Sequence, residues 1–372
     1  MFLLENFKTF SKIFYWTGLA PSPTISRKQQ NYIFLLSVIV SLLINIGFLV
    51  ISVHFPSYKL YGNIEKIVSY TFVVSLILSN LSANAQCYYF KWVYGSINDR
   101  ISKMETIFQT KFSQNIRSQT FARRYKTKVL VITIILSIVF TLKFGESWIE
   151  NDYKSFVRYC FAFLAECLSS LVFCHVLLYI SIVQLFITEL NGRIGSTPIG
   201  LNSSSKMELL KTIKLLHMEI WKLMAQINTF FSFNLTFYMI SLAVQTTYYL
   251  YWLFLIMQVE WNTLYITQSL VIIIYCLVRI SLLVNGCQSL LTETTNLMEH
   301  TERHAFRTTN NLHLYLLKME IQQQFHNFPI IVTADGYFNI NRSFLAGVAS
   351  NCCTYIVIFI QFFLEDDASK AS

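Results

Sequence analysis

The sequence predicts an all-α integral membrane protein with seven transmembrane helices, on three observations. Hydrophobic residues make up 54% of the 372 residues and charged ones 13%, about half the charged share of an average soluble domain. Stretches free of Asp, Glu, Lys and Arg recur at the roughly 20-residue length that a helix needs to cross a hydrocarbon core of about 30 Å. The net charge of +9 gathers in alternate connections between those stretches. A water-soluble globule would have to expose much of this apolar surface. With 11 Gly and 5 Pro against 16% aromatic residues, a collagen-like or disordered chain is excluded too.

Along the chain, the first span is expected at 32–53, inside a charge-free run from Gln29 to Tyr58. The second covers 67–90. The third, 128–149, is the shortest in apolar content, and Lys128 and Lys143 extend it by snorkelling. The fourth, 159–188, is interrupted by Glu166. Leu223–Val259 carries no charge and exceeds what a membrane requires, so its first part projects into water and the fifth span is 235–259. The sixth, 262–286, contains Arg279, and the seventh is 343–364. Residues 1–31 form an N-terminal segment that does not read as a cleaved signal, because Glu5, Lys8 and Lys12 break its apolar residues. Residues 365–372 form a short tail.

Charge sets the expected orientation, since Lys and Arg accumulate on the cytoplasmic side. The N-terminal segment and the connections between spans two and three, four and five, and six and seven hold 22 of the 29 basic residues. The N-terminus is therefore expected inside and the C-terminus outside. The Asn-x-Ser/Thr triplets at Asn80, Asn202, Asn234 and Asn341 all fall in expected membrane or cytosol, out of reach of glycosylation. A seven-span receptor coupled to G proteins would place its N-terminus outside. The excess positive charge is an orientation signal, and a nucleic-acid partner is not needed to explain it.

Eight cysteines form no CxxC pair, and Cys160, Cys167 and Cys174 repeat every seven residues on one helix face, as close helix packing would place them. His300 and His304 share a face with Glu302 nearby, but the zinc-protease order is absent, and a solvated helix face accounts for them. Neither a phosphate-binding glycine fingerprint nor a hydrolase nucleophile motif occurs. No enzyme activity, metal or cofactor is expected.

The seventh span carries a small and polar stripe. At about 100° per residue, Gly347, Ser350, Thr354, Val357 and Gln361 fall on one narrow face of an otherwise apolar helix. Spacing alone fits either close helix packing or a wetted wall lining a pore. The same helix contains Thr354-Tyr355, five apolar residues, then Gln361-Phe362. This resembles the Thr-Tyr-(five apolar)-Gln-Phe signature of insect gustatory receptors, and the lead-in from Gly336 to Arg342 is similar to that family's approach to its last helix. The resemblance extends to span number, topology and motif position.

What the resemblance implies is a tastant-gated, non-selective cation channel built as a tetramer with other gustatory receptor subunits. The last helix of each subunit would line the pore through Ser350, Thr354 and Val357, with Gln361 and Phe362 at the gate. Segments 191–234 and 287–342 would form a cytosolic anchor joining subunits, the stretch 310–325 supplying a helix. The receptor would sit in the plasma membrane of gustatory neuron dendrites. Its sugar-receptor branch often has an acidic residue after Thr-Tyr; Ile356 stands there instead.

In that family the ligand pocket lies among the helices in the outer half of each subunit. Aromatic residues are dense there: Phe144, Trp148, Tyr159, Phe163, Tyr248, Tyr249, Tyr251, Trp252, Trp261 and Tyr265. An interfacial belt explains most of them. Phe144, Trp148, Tyr159, Phe163, Tyr249, Trp252 and Tyr265, with the polar Glu166, Gln245 and Gln268, are the pocket candidates for a small-molecule tastant. Glu166 is singled out because an intramembrane charge is costly unless it has a use or a partner. Arg279 is expected to snorkel toward lipid phosphate or the cytosolic segments. A non-conducting co-receptor of the same family is the alternative, and a secondary transporter a further one, disfavoured because Pro21, Pro23, Pro56, Pro198 and Pro329 all lie outside the spans.

Overall fold

The computed structural model describes residues 7–17, 19–20, 27–54, 63–112, 118–149, 152–196, 203–259, 262–306, 312–334 and 336–371. Nearly all of it is helix. A short amphipathic helix α1 (Lys8–Trp16) precedes α2 (Arg27–His54), α3 (Asn63–Tyr89), α4 (Lys91–Phe112), α5 (Ser118–Ile149), α6 (Tyr153–Ser196), α7 (Ser203–Val259), α8 (Thr263–Phe306) and α9 (Leu312–Asn327). A hairpin of β1 (Thr333–Ala334) and β2 (Phe338–Asn339) then leads into α10 (Arg342–Ala371). Seven of the helices, α2, α3, α5, α6, α7, α8 and α10, are long and apolar enough to cross a membrane.

Local chemistry marks several helix starts. The Asp152, Asn262 and Asn341 carboxylate or amide oxygens accept the backbone N–H of Lys154, Leu264 and Phe344 at 3.1, 2.9 and 2.9 Å, satisfying donors that a helix end otherwise leaves unpaired. The β1–β2 turn requires Gly336, which sits at φ +73° where a side chain is strained. This is the glycine that opens the Gly336–Arg342 lead-in.

The helices α6, α7, α8 and α10 extend beyond the expected spans. At 1.5 Å per residue the 57 residues of α7 reach about 85 Å, close to three hydrocarbon thicknesses. All of its Lys and Glu residues lie in its first part, before Leu223. There it is clamped from two sides. Glu219 accepts from Arg100 at 2.6 Å and pairs with Lys103 and Lys222, while Gln226 donates to Ser96 at 2.7 Å, fastening α4. On the other side Lys214 pairs with Glu320 at 2.6 Å, and the Gln324 amide donates to the Lys214 carbonyl at 2.8 Å and meets His217 Nδ1 at 2.9 Å, fastening α9. The connection expected as a loop between spans two and three is thus a 22-residue helix, α4, and its buried Ile97, Ile101, Met104 and Phe108 explain why: they recur every three or four residues and pack on α6 and α7.

In the membrane-embedded part, α6 lies at the centre, with 83% of its most apolar window covered by the rest of the chain. Gly47 of α2 faces the Phe161 ring of α6 with no room for a side chain between them. Asn80 of α3 donates to Asn45 of α2 and to the Ala165 carbonyl of α6, both at 3.2 Å, and Ser82 reaches Asn234 of α7. Such amides hold apolar helices together where lipid offers no competing partner. Their role as interhelical ties was not visible in the sequence, where Asn80 and Asn234 register only as unused glycosylation triplets.

Candidate ligand pocket and pore helix

A cavity of about 100 Å³ opens among α2, α3, α5, α6, α7 and α8. Its walls are mostly aromatic and aliphatic: Phe72 from α3, Phe140 from α5, Tyr159 from α6, Tyr248, Tyr249 and Trp252 from α7, and Tyr275 from α8. Phe72 stacks on Tyr248 at 4.7 Å, and Tyr248 meets Tyr249 edge-on at 4.9 Å, so the rings fix one another.

One side of the cavity is a buried ion-pair network. Arg279 of α8 is 0% exposed. Its guanidinium donates to Glu166 Oε2 at 3.1 Å, to Ser169 Oγ at 2.8 Å and, through Nε, to the Tyr238 hydroxyl at 2.8 Å. It also lies 5.0 Å from the Tyr238 and Tyr275 ring centres. Glu166 Oε1 accepts from the Gln245 amide. The Tyr275 hydroxyl bonds to Ser170 at 2.6 Å. The expectation that Arg279 snorkels outward is therefore overturned. A guanidinium with planar donors matched to a carboxylate, a hydroxyl and a phenol is better satisfied inside, and Glu166 supplies the countercharge that makes its burial tolerable.

A second polar group occupies the neighbouring wall. Glu146 accepts from the Gln268 amide at 2.8 Å and from the Tyr159 hydroxyl at 3.3 Å. Lys143, one turn away, donates to the Tyr249 hydroxyl at 3.4 Å and faces the Tyr159 and Tyr249 rings at 5.4 and 5.5 Å. Arg158 lies over the Tyr159 ring at 4.9 Å.

Among the sequence-derived pocket candidates, Tyr159, Glu166, Gln245, Tyr249, Trp252 and Gln268 converge on this cavity. Phe144 and Phe163 instead pack beside Phe140 and Phe156 in the α5–α6 contact. Trp148 is 80% exposed at the end of α5, where a belt residue belongs. Tyr265 lies on the first turns of α8, half-buried and outside the cavity lining. Trp261 lies outside the described residues. The lining also contains Lys143, expected only to snorkel at the end of the third span, and Arg158, which was not among the candidates. Their one available signal was position, a cation on each side of the short turn joining two aromatic-rich helices.

The last helix presents the opposite situation. Ser350, Thr354, Val357 and Gln361 are all exposed, as are Tyr355 and Phe362. Cys352, buried, and the half-buried Val348, Ile356, Phe359 and Phe363 form the face turned to the subunit, with Phe363 meeting Phe254 and Phe359 meeting Tyr251 of α7. At 100° per residue the polar stripe is diametrically opposite Cys352. Thr354 returns its hydroxyl to the Ser350 carbonyl at 3.0 Å. Cysteines elsewhere are free thiols, Cys174 buried and Cys160 and Cys167 half-buried along the face they share. Among the described residues no cluster of His, Cys, Asp and Glu could hold a metal ion. The side chain of His304 lies outside the described residues.

Residues 7–365 match the 7tm chemosensory receptor family. No curated protein sequence matches the chain. Among solved structures it is similar to the insect olfactory receptor OR5 from Machilis hrabei, with TM-score 0.67 and 15% identity over 97% of this chain and 98% of that one. The structure of the same receptor in complex with eugenol aligns with TM-score 0.65 and 16% identity over the same shares. At such identity the likeness is one of fold. The family match spans nearly the whole chain, so this multi-pass membrane protein belongs to the seven-transmembrane chemosensory receptor family, a family of receptors and not of enzymes.

Proposed function

We propose that the chain is a gustatory receptor subunit, a tastant-gated non-selective cation channel that assembles as a tetramer with copies of itself or with other gustatory receptor subunits. The observation that carries this reading is α10, an apolar helix whose polar stripe points away from its own subunit. Only 6% of its most apolar window is covered by the chain. Lipid would be a poor partner for Ser350, Thr354 and Gln361, whereas the axis of a ring of subunits would hydrate them. Val357 would then narrow the conduit, and Gln361 and Phe362 would form its gate. The Thr354-Tyr355 and Gln361-Phe362 signature favours a gustatory role.

The aromatic cavity with its few polar groups is the ligand site in this reading, in agreement with the general make-up of small-molecule pockets. A relative of the same fold was solved with eugenol, which supports a small organic ligand. The cation distribution supports a cytoplasmic N-terminus and an extracellular C-terminus, with residues 191–234 and 287–342 as the cytosolic anchor. The location would be the plasma membrane of gustatory neuron dendrites. The likeness to an olfactory receptor favours one second reading, a receptor for volatile odorants.

Expression in a heterologous cell, with current recording against a panel of tastants and volatiles, tests both. Evoked cation currents that persist under G-protein blockade are expected. Currents abolished by that blockade would refute the channel reading, and a response confined to volatiles would replace the gustatory assignment. Silence alone but current on co-expression with a relative would identify a co-receptor.

A further inference from the structure

A second, larger hollow lies away from the aromatic cavity, a groove of about 660 Å³ between α2 and α3. That size falls within the roughly 300–1,000 Å³ of small-molecule sites. Phe34, Leu35 and Val38 of α2 and Leu81, Ala85 and Tyr88 of α3 line it. Its polar floor residue, Asn84, spends an amide N–H on Ser41 Oγ at 2.7 Å. One end of the groove coincides with the boundary of the apolar layer, because the apolar stretch of α2 begins at Phe34 and that of α3 ends at Tyr89. Lys91, the first residue of α4, closes this end. Its ammonium lies 5.5 Å from the centre of the Tyr88 ring, which stacks on Phe34 at 5.8 Å. Tyr88, Tyr89 and Trp92 are exposed around it, as aromatic residues are at the level of lipid head groups.

No carboxylate of the surrounding elements balances Lys91. Helices α1 and α2 contain no Asp or Glu, and Glu65 of α3 stands at the opposite end of its helix. The first acid of α4 is Asp99, about 12 Å further along the axis. The stretch of α7 from Leu223 onward has none. Among the described residues Lys91 forms no ion pair, and the Tyr88 ring is its contact. The same end of α2 opens on Arg27 and Lys28.

We infer that this groove binds an anionic phospholipid, with an acyl chain along Phe34, Val38 and Leu81 and the phosphate held by Lys91. An apolar body ending in an anion at the bilayer boundary is what a phospholipid presents. The ammonium offers three donors for charge-assisted hydrogen bonds to the phosphate oxygens. A zwitterionic lipid would bring its own cation beside that phosphate, so a net negative head group is the better match to an end that is already positive. In the orientation proposed above, the lipid belongs to the cytoplasmic leaflet. The inference does not depend on the channel reading.

The test is native mass spectrometry of the full-length receptor in detergent, with palmitoyl-oleoyl phosphatidylglycerol or the matching phosphatidylcholine added at equal concentrations. Phosphatidylglycerol should bind the more tightly. In Lys91→Gln its affinity should fall about fivefold, the loss expected when one cation near an anionic head group is removed, and phosphatidylcholine should change less. Lys126→Gln, which removes an exposed charge on α5 outside the groove, should leave both affinities unchanged. Ala85→Trp, which fills the groove, should weaken both lipids. The inference is overturned if the wild type binds the two lipids equally or if Lys91→Gln and Lys126→Gln act alike. It is also overturned if Ala85→Trp folds and leaves lipid binding unchanged; a shift in subunit number in that variant would make the groove a protein contact. Should Ala85→Trp fail to fold, the two lysine variants decide the matter.

Discussion

Helices α6 and α10 are both long and apolar enough to span a bilayer, yet 83% of the core window is covered in one and 6% in the other. The difference lies in what their polar residues find. On α6 the carboxylate of Glu166 and the hydroxyls of Ser169 and Ser170 meet Arg279, Gln245 and Tyr275 from the same chain. On α10 the polar residues form a stripe facing away from the subunit, while Cys352 and its neighbours face inward. Polar groups in a membrane protein must be satisfied somewhere. One helix satisfies them within the chain and stabilises the fold; on the other the Thr354 hydroxyl turns back to the backbone, while the Gln361 amide faces an environment outside the subunit.

Breaking the internal arrangement should have the largest effect. Arg279→Met leaves the Glu166 carboxylate buried without its countercharge, an expected loss of about 3–5 kcal/mol, visible as aggregation in detergent or a collapsed melting temperature. Replacing both partners, Glu166→Leu with Arg279→Met, should recover much of that loss. A double variant no more stable than the single one would show that the pair does not act as a unit.

The clamp on the charged part of α7 should respond next. Glu219→Gln removes the countercharge of Arg100, Lys103 and Lys222 and is expected to cost about 1–3 kcal/mol, read as weaker protection of α4 in hydrogen exchange. Acid should act on the same region. Burial pushes His217 down to about 4, so the folded state keeps it neutral. The stability this gives is present above about pH 6.5 and is lost as pH falls from there toward 4. Burial also disfavours the Glu219 carboxylate, but Lys103, Arg100 and Lys222 outweigh it and hold its pKa below the usual range. Its contribution is present above the unfolded value near 4.3 and disappears as pH drops through the lower folded value. The α4–α7–α9 contacts should therefore loosen in two stages on acidification, and His217→Gln should remove the first. A single stage unaffected by that substitution would contradict the assignment.

Changes on the α10 stripe should leave the subunit intact and alter its conduction. Gln361→Ala and Phe362→Ala are expected to shift the melting temperature by no more than about 2 °C, as exposed substitutions generally do, while changing resting leak or ion selectivity. Unaltered conduction in well-expressed variants would remove these residues from the pore. Smallest of all, Lys111→Ala at the exposed pair with Glu208 should change stability by less than about 0.5 kcal/mol in thermal melts, since such pairs gain little in water.

How much of this was legible in the sequence depends on distance along the chain. The membrane helices are visible because apolar runs and their charged ends are local features. The α10 stripe is equally local, a matter of 100° steps, and so is the helix at 312–327, which continues the expected 310–325. The α4 helix was not recognised, because its apolar residues are interleaved with the basic residues that marked the segment as a connection. The Glu166–Arg279 pair spans 113 residues, and no local pattern joins its members. From sequence each had its own explanation, a ligand role for one and snorkelling for the other. Lys143 likewise reads as an interfacial residue until Tyr159 and Tyr249 are brought over it.

The sequence by itself determined the class of protein, the number of apolar helices long enough to span, the alternation of charge between their connections and the single polar face of the last helix. Each follows from solvent preference and helical period, which act over tens of residues at most. Only the tertiary structure decided which aromatic residues meet around one cavity, that Arg279 turns inward to Glu166, and that the stripe on α10 faces away from its own subunit. Those outcomes depend on packing between helices distant in sequence, where apolar patterning is nearly uniform around each helix and leaves the choice of facing side to a few buried polar contacts.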